Sequence, residues 1–341
     1  MNSPDPNPSS RSLTIRSESL YSGEFTVVED TSFRSGKRLS GTRIKAIAVP
    51  FLHKLIQRTP VAIAALPMRV LLMLVRVAYL WPANPFRQAC ENICKLASSA
   101  GHHYSSGQVY RQLINNADGM LDNYFRLYKF GVDSVIDRVH ISQQDAQRFN
   151  RLAEKHGGVM MAVPHNYASL FAALKMSREF PLICVTRNPS TIERTKIAVD
   201  IFERMKVSIL MVRGGNPIEL SRALFSILKS GNTIAATVDS MDHSEAAAEA
   251  EIFGQRVGFP TWAAKIAAKK RIPVIPSYFR SDGKQITAIY GEELISDNTE
   301  EIVRHYVRFF EKNILADPAS WAYLCDKRWG RVLKQAARYT T

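Results

Sequence analysis

From residue 157 onward, short apolar runs alternate with segments of helical periodicity, and this alternation is the strongest constraint on the fold. The strand-like runs GVMMAVP, PLICVTR and VSILMV are each followed by a helical pattern. Helices of about 10–15 residues between strands indicate crossover units around a parallel sheet. We therefore predict an α/β fold with a mostly parallel central sheet flanked by helices.

Four unlike polar side chains lie at or just past the ends of predicted strands. They are His165, Arg187, Arg213 and Asp239. In open α/β sheets the ligand site lies beside the carboxyl ends of the strands. We therefore expect these four side chains to meet at one rim of the sheet, and this rim is the candidate site.

Each of the four has a functional and a structural interpretation. Histidine ordinarily titrates near neutral pH, so His165 is a candidate general base, although a histidine at a helix start is often structural. Arg187, between a strand and a helix N-terminus, suits phosphate or another anion, or a surface ion pair. Arg213 adjoins two glycines, which would let a ligand approach the backbone. Asp239 could order an arginine, bind a substrate or cap a turn.

The first half of the chain has a different character. Residues 1–40 are rich in Ser, Pro, Asn and Arg, and we predict a disordered arm there with no secretory signal.

Residues 41–86 are apolar but interrupted by lysines and arginines. This pattern favours an interfacial membrane anchor over a bilayer span; a helical pair packed on the core is the alternative. We predict one domain over 41–335, with N-terminal helices at 41–155 and the sheet core at 156–335.

The charge and the cysteines limit the classes of partner. Lys plus Arg number 45 against 31 Asp plus Glu, a net charge of +14. Such a surface suits nucleic acid, anionic lipid headgroups or an acidic protein. We find no zinc-finger spacing or RNP-like aromatic pattern, so we expect no nucleic acid partner. The four cysteines show no metal spacing, which favours reduced structural thiols and no metal.

Further motifs follow the strand that ends at Asp239. They are Phe253–Gly254, Pro260–Thr261, a strand with Pro273 and Pro276, and the ending PASWAYLCDKRWG. Together with the order strand–His, strand–Arg, strand–basic Gly turn and strand–Asp, this set resembles the glycerolipid acyltransferase superfamily. In particular, it resembles the bacterial late lipid A (lauroyl/myristoyl) acyltransferases. The resemblance covers roughly residues 45–335 and depends on the ordered set, since no single motif is specific.

The resemblance implies an acyltransferase with His165 as general base. The donor would be acyl carrier protein or acyl-coenzyme A, and the acceptor a hydroxyl or amine of a membrane lipid. It also implies a peripheral or monotopic position on the cytoplasmic face of the inner membrane, with no cofactor. Backbone amides near Gly254 or Gly214 would stabilise the oxyanion. Five polar side chains are expected to contact the substrates: Arg187, Arg213, Asn166, Ser169 and Asp242.

One residue departs from the family pattern. The family motif has an acid five positions after the histidine, and here that position holds Leu170. Such an acid fixes the imidazole tautomer and stabilises the imidazolium. Three explanations are open: another group orients His165, the acceptor needs little activation, as a neutral amine would, or the protein is a non-catalytic relative. Among substitutes for the acid we rank Asp239 first, Asp242 second and Ser169 third.

Overall fold

The computed structural model describes residues 10–30, 41–189, 191–212 and 217–339 of the 341-residue chain. The N-terminal part contains a hairpin, a series of helices and one short strand. In chain order these are β1 (Ser10–Arg16), β2 (Glu24–Asp30), α1 (Gly41–Arg58), α2 (Val61–Val77), α3 (Pro85–Ser99), α4 (Ser106–Phe130), α5 (Asp133–Ile136), β3 (Val139–His140) and α6 (Gln143–His156).

Strands and helices alternate through the C-terminal part. In chain order these are β4 (Val159–Val163), α7 (Ser169–Glu179), β5 (Leu182–Arg187), α8 (Ile192–Met205), β6 (Ser208–Val212), α9 (Pro217–Lys229), β7 (Thr233–Thr237), β8 (Ala248–Ile252), β9 (Gln255–Phe259), α10 (Trp262–Lys270), β10 (Val274–Ser281), β11 (Ile286–Tyr290), α11 (Thr299–Ala316) and α12 (Lys327–Tyr339).

The central sheet has the strand order β3-β11-β10-β4-β7-β5-β6. Neighbouring strands are parallel, except that β10 and β11 are antiparallel. This arrangement confirms the predicted α/β fold with a mostly parallel sheet. Where the sequence predicts a hairpin-like pair at about 284–294, the structure has the single strand β11, which pairs with both β10 and β3.

Strand β4 lies near the middle of the sheet and is buried on both faces. Met160 and Ala162 join the core that also contains residues of α3, α9, α10, α11 and α12. Val159, Met161 and Val163 join the core on the side of α6 and α7. Successive side chains of a strand point to opposite faces, so the unbroken apolar run VMMAV suits a strand covered on both sides. The two cores hold the end of β4, and hence the residues after Val163, in a fixed position.

The structure differs from the predicted disordered arm over 1–40. Strands β1 and β2 form an antiparallel hairpin, and the residues between them add to the free edge of β6. The Tyr21 amide donates to the Ile209 carbonyl at 2.8 Å, and the Ile209 amide donates to the Ser19 carbonyl at 2.7 Å. Leu20 is buried beside Ile209 and Val199. The polar composition of residues 1–40 gives no sign of the pairing with β6, and β6 lies far away in the sequence. Residues 1–9 and 31–40 lie outside the described residues.

Helix α2 and the turn after it form a stretch, Val61–Leu80, that is long and apolar enough to cross a membrane by length and composition. Only 11% of its most apolar part is buried in the protein. Ala64 and Ala65 cluster with Leu121 and Phe125 of α4, so one face of α2 is packed. The rest of the helix is largely exposed, which is compatible with association with a membrane.

Candidate active site

His165 and Asp239 meet because they follow two neighbouring parallel strands. The last residue of β4, Val163, pairs with the last residue of β7, Thr237. The Val238 amide continues the pairing by donating to the Val163 carbonyl at 3.1 Å. The residues that follow β4 and β7 therefore leave the sheet at the same rim. The sequence predicts this rim, and the structure places the two side chains in contact across it.

The Asp239 carboxylate holds His165 at two points. Oδ1 forms a short hydrogen bond with the imidazole Nδ1, and Oδ2 accepts from the His165 backbone amide at 2.9 Å. Asp239 is 2% exposed, so water screens this pair weakly. Because an ionised carboxylate only accepts, the pair is best satisfied with the proton on Nδ1. The lone pair of the neutral imidazole is then on Nε2, the atom that can take a proton from a substrate.

A C-terminal segment, residues 318–329, supports this pair and was not identified as part of the site from the sequence. The Trp321 indole donates to Asp239 Oδ2 at 2.9 Å, and the Trp329 indole donates to the Asp239 carbonyl at 3.2 Å. Tyr323 contacts the imidazole itself, with its hydroxyl 3.1 Å from Nε2. The available signal was the aromatic ending PASWAYLCDKRWG, whose tryptophans carry donors that need partners when buried.

An apolar cavity of about 390 Å³ opens beside His165. Its walls are mostly hydrophobic, and Arg187 joins His165 among the polar lining residues. Leu170 forms part of the wall, so the fifth position after His165 contributes apolar surface. Burial raises the pKa of the Cys184 thiol in the wall to about 12, so this thiol is neutral and a poor nucleophile at neutral pH. The apolar lining comprises Met161, Val163, Leu170, Ala173, Met176, Cys184, Val185, Phe202, Ala235, Ala236 and Phe279.

The other predicted site residues divide between the cavity and the scaffold. Arg187 ends β5 and lines the cavity with an exposed side chain, and Ser169 lines it too. The buried Asn166 donates through its amide nitrogen to the Ser320 carbonyl at 3.1 Å, so its side chain is engaged with the C-terminal segment. Asp242 accepts from the Ser244 amide at 2.9 Å, and hydrogen bonds from Ser244 hold the pKa of that carboxyl below its ordinary value.

Two remaining predictions concern basic or metal-binding groups. Arg213 and the two adjoining glycines of the predicted basic turn, Gly214 and Gly215, lie outside the described residues. Within the described parts of the chain, no group of three or more His, Cys, Asp or Glu residues is arranged to hold a metal ion.

Comparison with known proteins identifies the family. A family model described as bacterial lipid A biosynthesis acyltransferase matches residues 63–331. A search of curated proteins finds no match. The matched region includes every strand of the central sheet, the His165–Asp239 pair and the C-terminal segment that supports it.

Proposed function

This chain belongs to the bacterial lipid A biosynthesis acyltransferase family, and from that membership we propose a specific reaction. It transfers an acyl group from an acyl thioester, on acyl carrier protein or coenzyme A, to a hydroxyl or amine of a lipid or lipid-like acceptor. His165 is the general base and Asp239 is the acid that supports it. The contact of the buried Asp239 carboxylate with His165 Nδ1, beside an apolar cavity, is the observation that carries this proposal.

The chemical step uses His165 Nε2. This nitrogen takes the proton as the acceptor oxygen or nitrogen forms a bond to the thioester carbonyl carbon. Collapse of the tetrahedral intermediate breaks the carbon–sulfur bond, and the departing thiolate recovers the proton from Nε2. The imidazolium that forms in between is stabilised by the Asp239 carboxylate, as in the general triad arrangement.

The cavity is the proposed binding site for the acyl chain. Its volume of about 390 Å³ lies within the range of ligand-binding clefts, and its walls are mainly apolar. Arg187, at the end of β5, provides a positive charge near His165 for a phosphate of the donor or acceptor. Leu170 favours this arrangement because it extends the apolar wall towards the base.

Leu170 also favours a second candidate, a catalytically inactive relative that binds acyl chains, carrier protein or membrane. One assay separates the two. Purified protein is incubated with a set of acyl thioesters and a lipid extract, and the release of thiol is followed. Thiol release that depends on the acceptor supports the acyltransferase. Saturable binding of the thioester without any thiol release supports the inactive relative.

The membrane position that we propose is the cytoplasmic face of the inner membrane, with α2 lying in the interface. Residues three, four and seven apart share a helix face. Ile63, Leu66, Val70, Met73 and Val77 therefore form one apolar stripe, and each is more than half exposed. Arg69 and Arg76, seven residues apart, lie beside the stripe rather than within it. Such a layout suits a helix whose apolar face enters the lipid while its charges stay in the headgroup region.

We expect binding to anionic vesicles to weaken as salt rises. Exposed charges are screened over roughly 10 Å at 0.1 M salt, so the electrostatic part of the attachment is lost first. Co-sedimentation with anionic and zwitterionic vesicles at increasing NaCl measures this. Attachment that resists high salt and is released only by detergent would point instead to a span or deep insertion of Val61–Leu80.

A carboxylate at position 170 should replace Asp239 only in part. In the Asp239→Asn background, we expect Leu170→Glu to restore at most a fraction of the lost transfer rate. Position 170 follows the histidine at the spacing of the family's acid, but it lies in an apolar wall that disfavours an ionised side chain. Leu170→Gln in the same background, of similar size and without charge, is the control. Full restoration by Leu170→Glu would show that the local acid and Asp239 are equivalent.

A further inference from the structure

The contact of Asp239 with His165 leaves part of the imidazole orientation undetermined. A single hydrogen bond at Nδ1 fixes one atom of the ring, but the ring plane can still pivot about that bond. The side chain of His165 is 33% exposed, so the cavity wall alone does not enclose it. Helix α7 gives no second polar anchor at position 170, because that position is Leu170. A second constraint on the ring must come from elsewhere.

Tyr323 supplies contacts of the required kind. Its ring stacks on the imidazole with centroids 4.1 Å apart and an angle of 23° between the planes. Its hydroxyl lies 3.1 Å from Nε2. Stacking restricts the plane of the imidazole, and the hydroxyl contacts the nitrogen opposite the one that Asp239 holds. The two partners therefore act on different degrees of freedom of the same ring.

The backbone beside Tyr323 is tied to the pair that it contacts. The Ala322 amide donates to the His165 carbonyl at 2.7 Å, and Trp321 donates through its indole to Asp239. After Tyr323, the Asp326 amide donates to the Tyr323 carbonyl at 2.9 Å. Any displacement of this segment would break contacts with both His165 and Asp239, so the position of Tyr323 is coupled to theirs.

The hydroxyl of Tyr323 acts as a donor at neutral pH. Burial raises the pKa of this phenol above its ordinary value, so it keeps its proton. With the Nδ1 proton directed at Asp239, Nε2 is an acceptor, and the phenol donates to it. The Ser240 hydroxyl lies 3.5 Å from the Tyr323 hydroxyl and follows Asp239 in the chain. The phenol therefore has a second polar neighbour when a substrate takes its place at Nε2.

We propose that Tyr323 is a positioning residue for His165: its ring sets the imidazole plane, and its O–H donates to Nε2 until an acceptor arrives, when the O–H turns towards Ser240. This inference deepens the proposed function and rests on it, because His165 is the general base only if the proposed reaction is correct. It assigns to the C-terminal segment the part of the orienting role that an acid on α7 would have in the family motif. Tyr323 stays at the imidazole throughout and takes no proton from the acceptor.

Chemical labelling tests the positioning without any knowledge of the substrate. Diethyl pyrocarbonate modifies the neutral imidazole, and mass spectrometry of the His165 peptide gives the rate at that residue. We expect Tyr323→Phe, which keeps the ring, to raise the rate about 2- to 10-fold, the factor that corresponds to one net hydrogen bond. Tyr323→Leu, which loses the ring as well, should raise it further. Tyr339→Leu, at a tyrosine that is 77% exposed on α12, should leave it unchanged.

Labelling of His165 at the wild-type rate in Tyr323→Leu would overturn the proposal, and so would equal rates in the Phe and Leu variants. Thermal melting checks that each variant folds, and Tyr323→Phe keeps the test valid if Tyr323→Leu does not fold. Where transfer is measurable, the rate constant kcat should fall more in Tyr323→Leu than in Tyr323→Phe, with KM for the thioester unchanged. Faster labelling in the Tyr323 variants, together with no transfer by the wild-type protein, would contradict the proposed reaction while supporting the positioning role.

Discussion

His165→Ala is expected to abolish acyl transfer while the protein remains folded. His165 provides the only imidazole in the described candidate site, and its Nε2 is the ring nitrogen that Asp239 leaves unbonded. A general base contributes roughly 10²–10⁴-fold to the rate. The measurement is the initial rate of thiol release from the acyl thioester in the presence of the lipid acceptor, with the melting temperature recorded for each protein.

The matched control is His140→Ala, at an exposed histidine on the edge strand β3. This variant should transfer acyl groups at the wild-type rate. If His165→Ala keeps more than about a tenth of the wild-type rate, the loss is too small for a general base and the assignment is wrong. Binding of the thioester should survive in His165→Ala, because the cavity wall is otherwise intact.

Asp239→Asn should cause a loss of similar size through the imidazole tautomer. Oδ2 of Asp239 accepts from two donors, the His165 amide and the Trp321 indole. An asparagine would keep these two bonds only by placing its oxygen there, which turns its NH₂ group towards His165 Nδ1. Nδ1 would then accept, and the proton would move to Nε2, where it removes the basic lone pair. The equivalent change in the catalytic triad of a serine protease lowers the rate about 10⁴-fold.

Asp297→Asn is the control for that substitution, because the Asp297 side chain is 73% exposed and pairs with Arg271 on the surface. It should leave transfer unchanged. Nitrogen-15 NMR of histidine-labelled protein reports which imidazole nitrogen carries the proton. We expect the proton on Nδ1 in the wild type and on Nε2 in Asp239→Asn. Retention of most of the activity by Asp239→Asn would instead favour an acceptor that needs little activation.

The fold class and the rim that holds the candidate site follow from local patterns in the sequence. The alternation of strand and helix patterns is a local property, and a short apolar run such as VMMAV, bounded by glycines and a proline, is typical of a strand covered on both faces. Once the strands are parallel, the residues after them must lie at one edge. His165, Arg187 and Asp239 could therefore be predicted to lie near one rim before the structure was known.

Which of these residues contact one another depends on the folded molecule. His165 and Asp239 are 74 positions apart, and their contact depends on β4 and β7 being neighbours, a pairing that local periodicity does not specify. The contact of the segment between β1 and β2 with β6 was missed for the same reason, because β6 is distant in sequence. Trp321 and Tyr323 reach the imidazole and its carboxylate only after the chain has folded back across the sheet rim. Non-local contacts of this kind arise from packing and hydrogen-bond satisfaction in three dimensions, so short-range sequence patterns cannot reveal them.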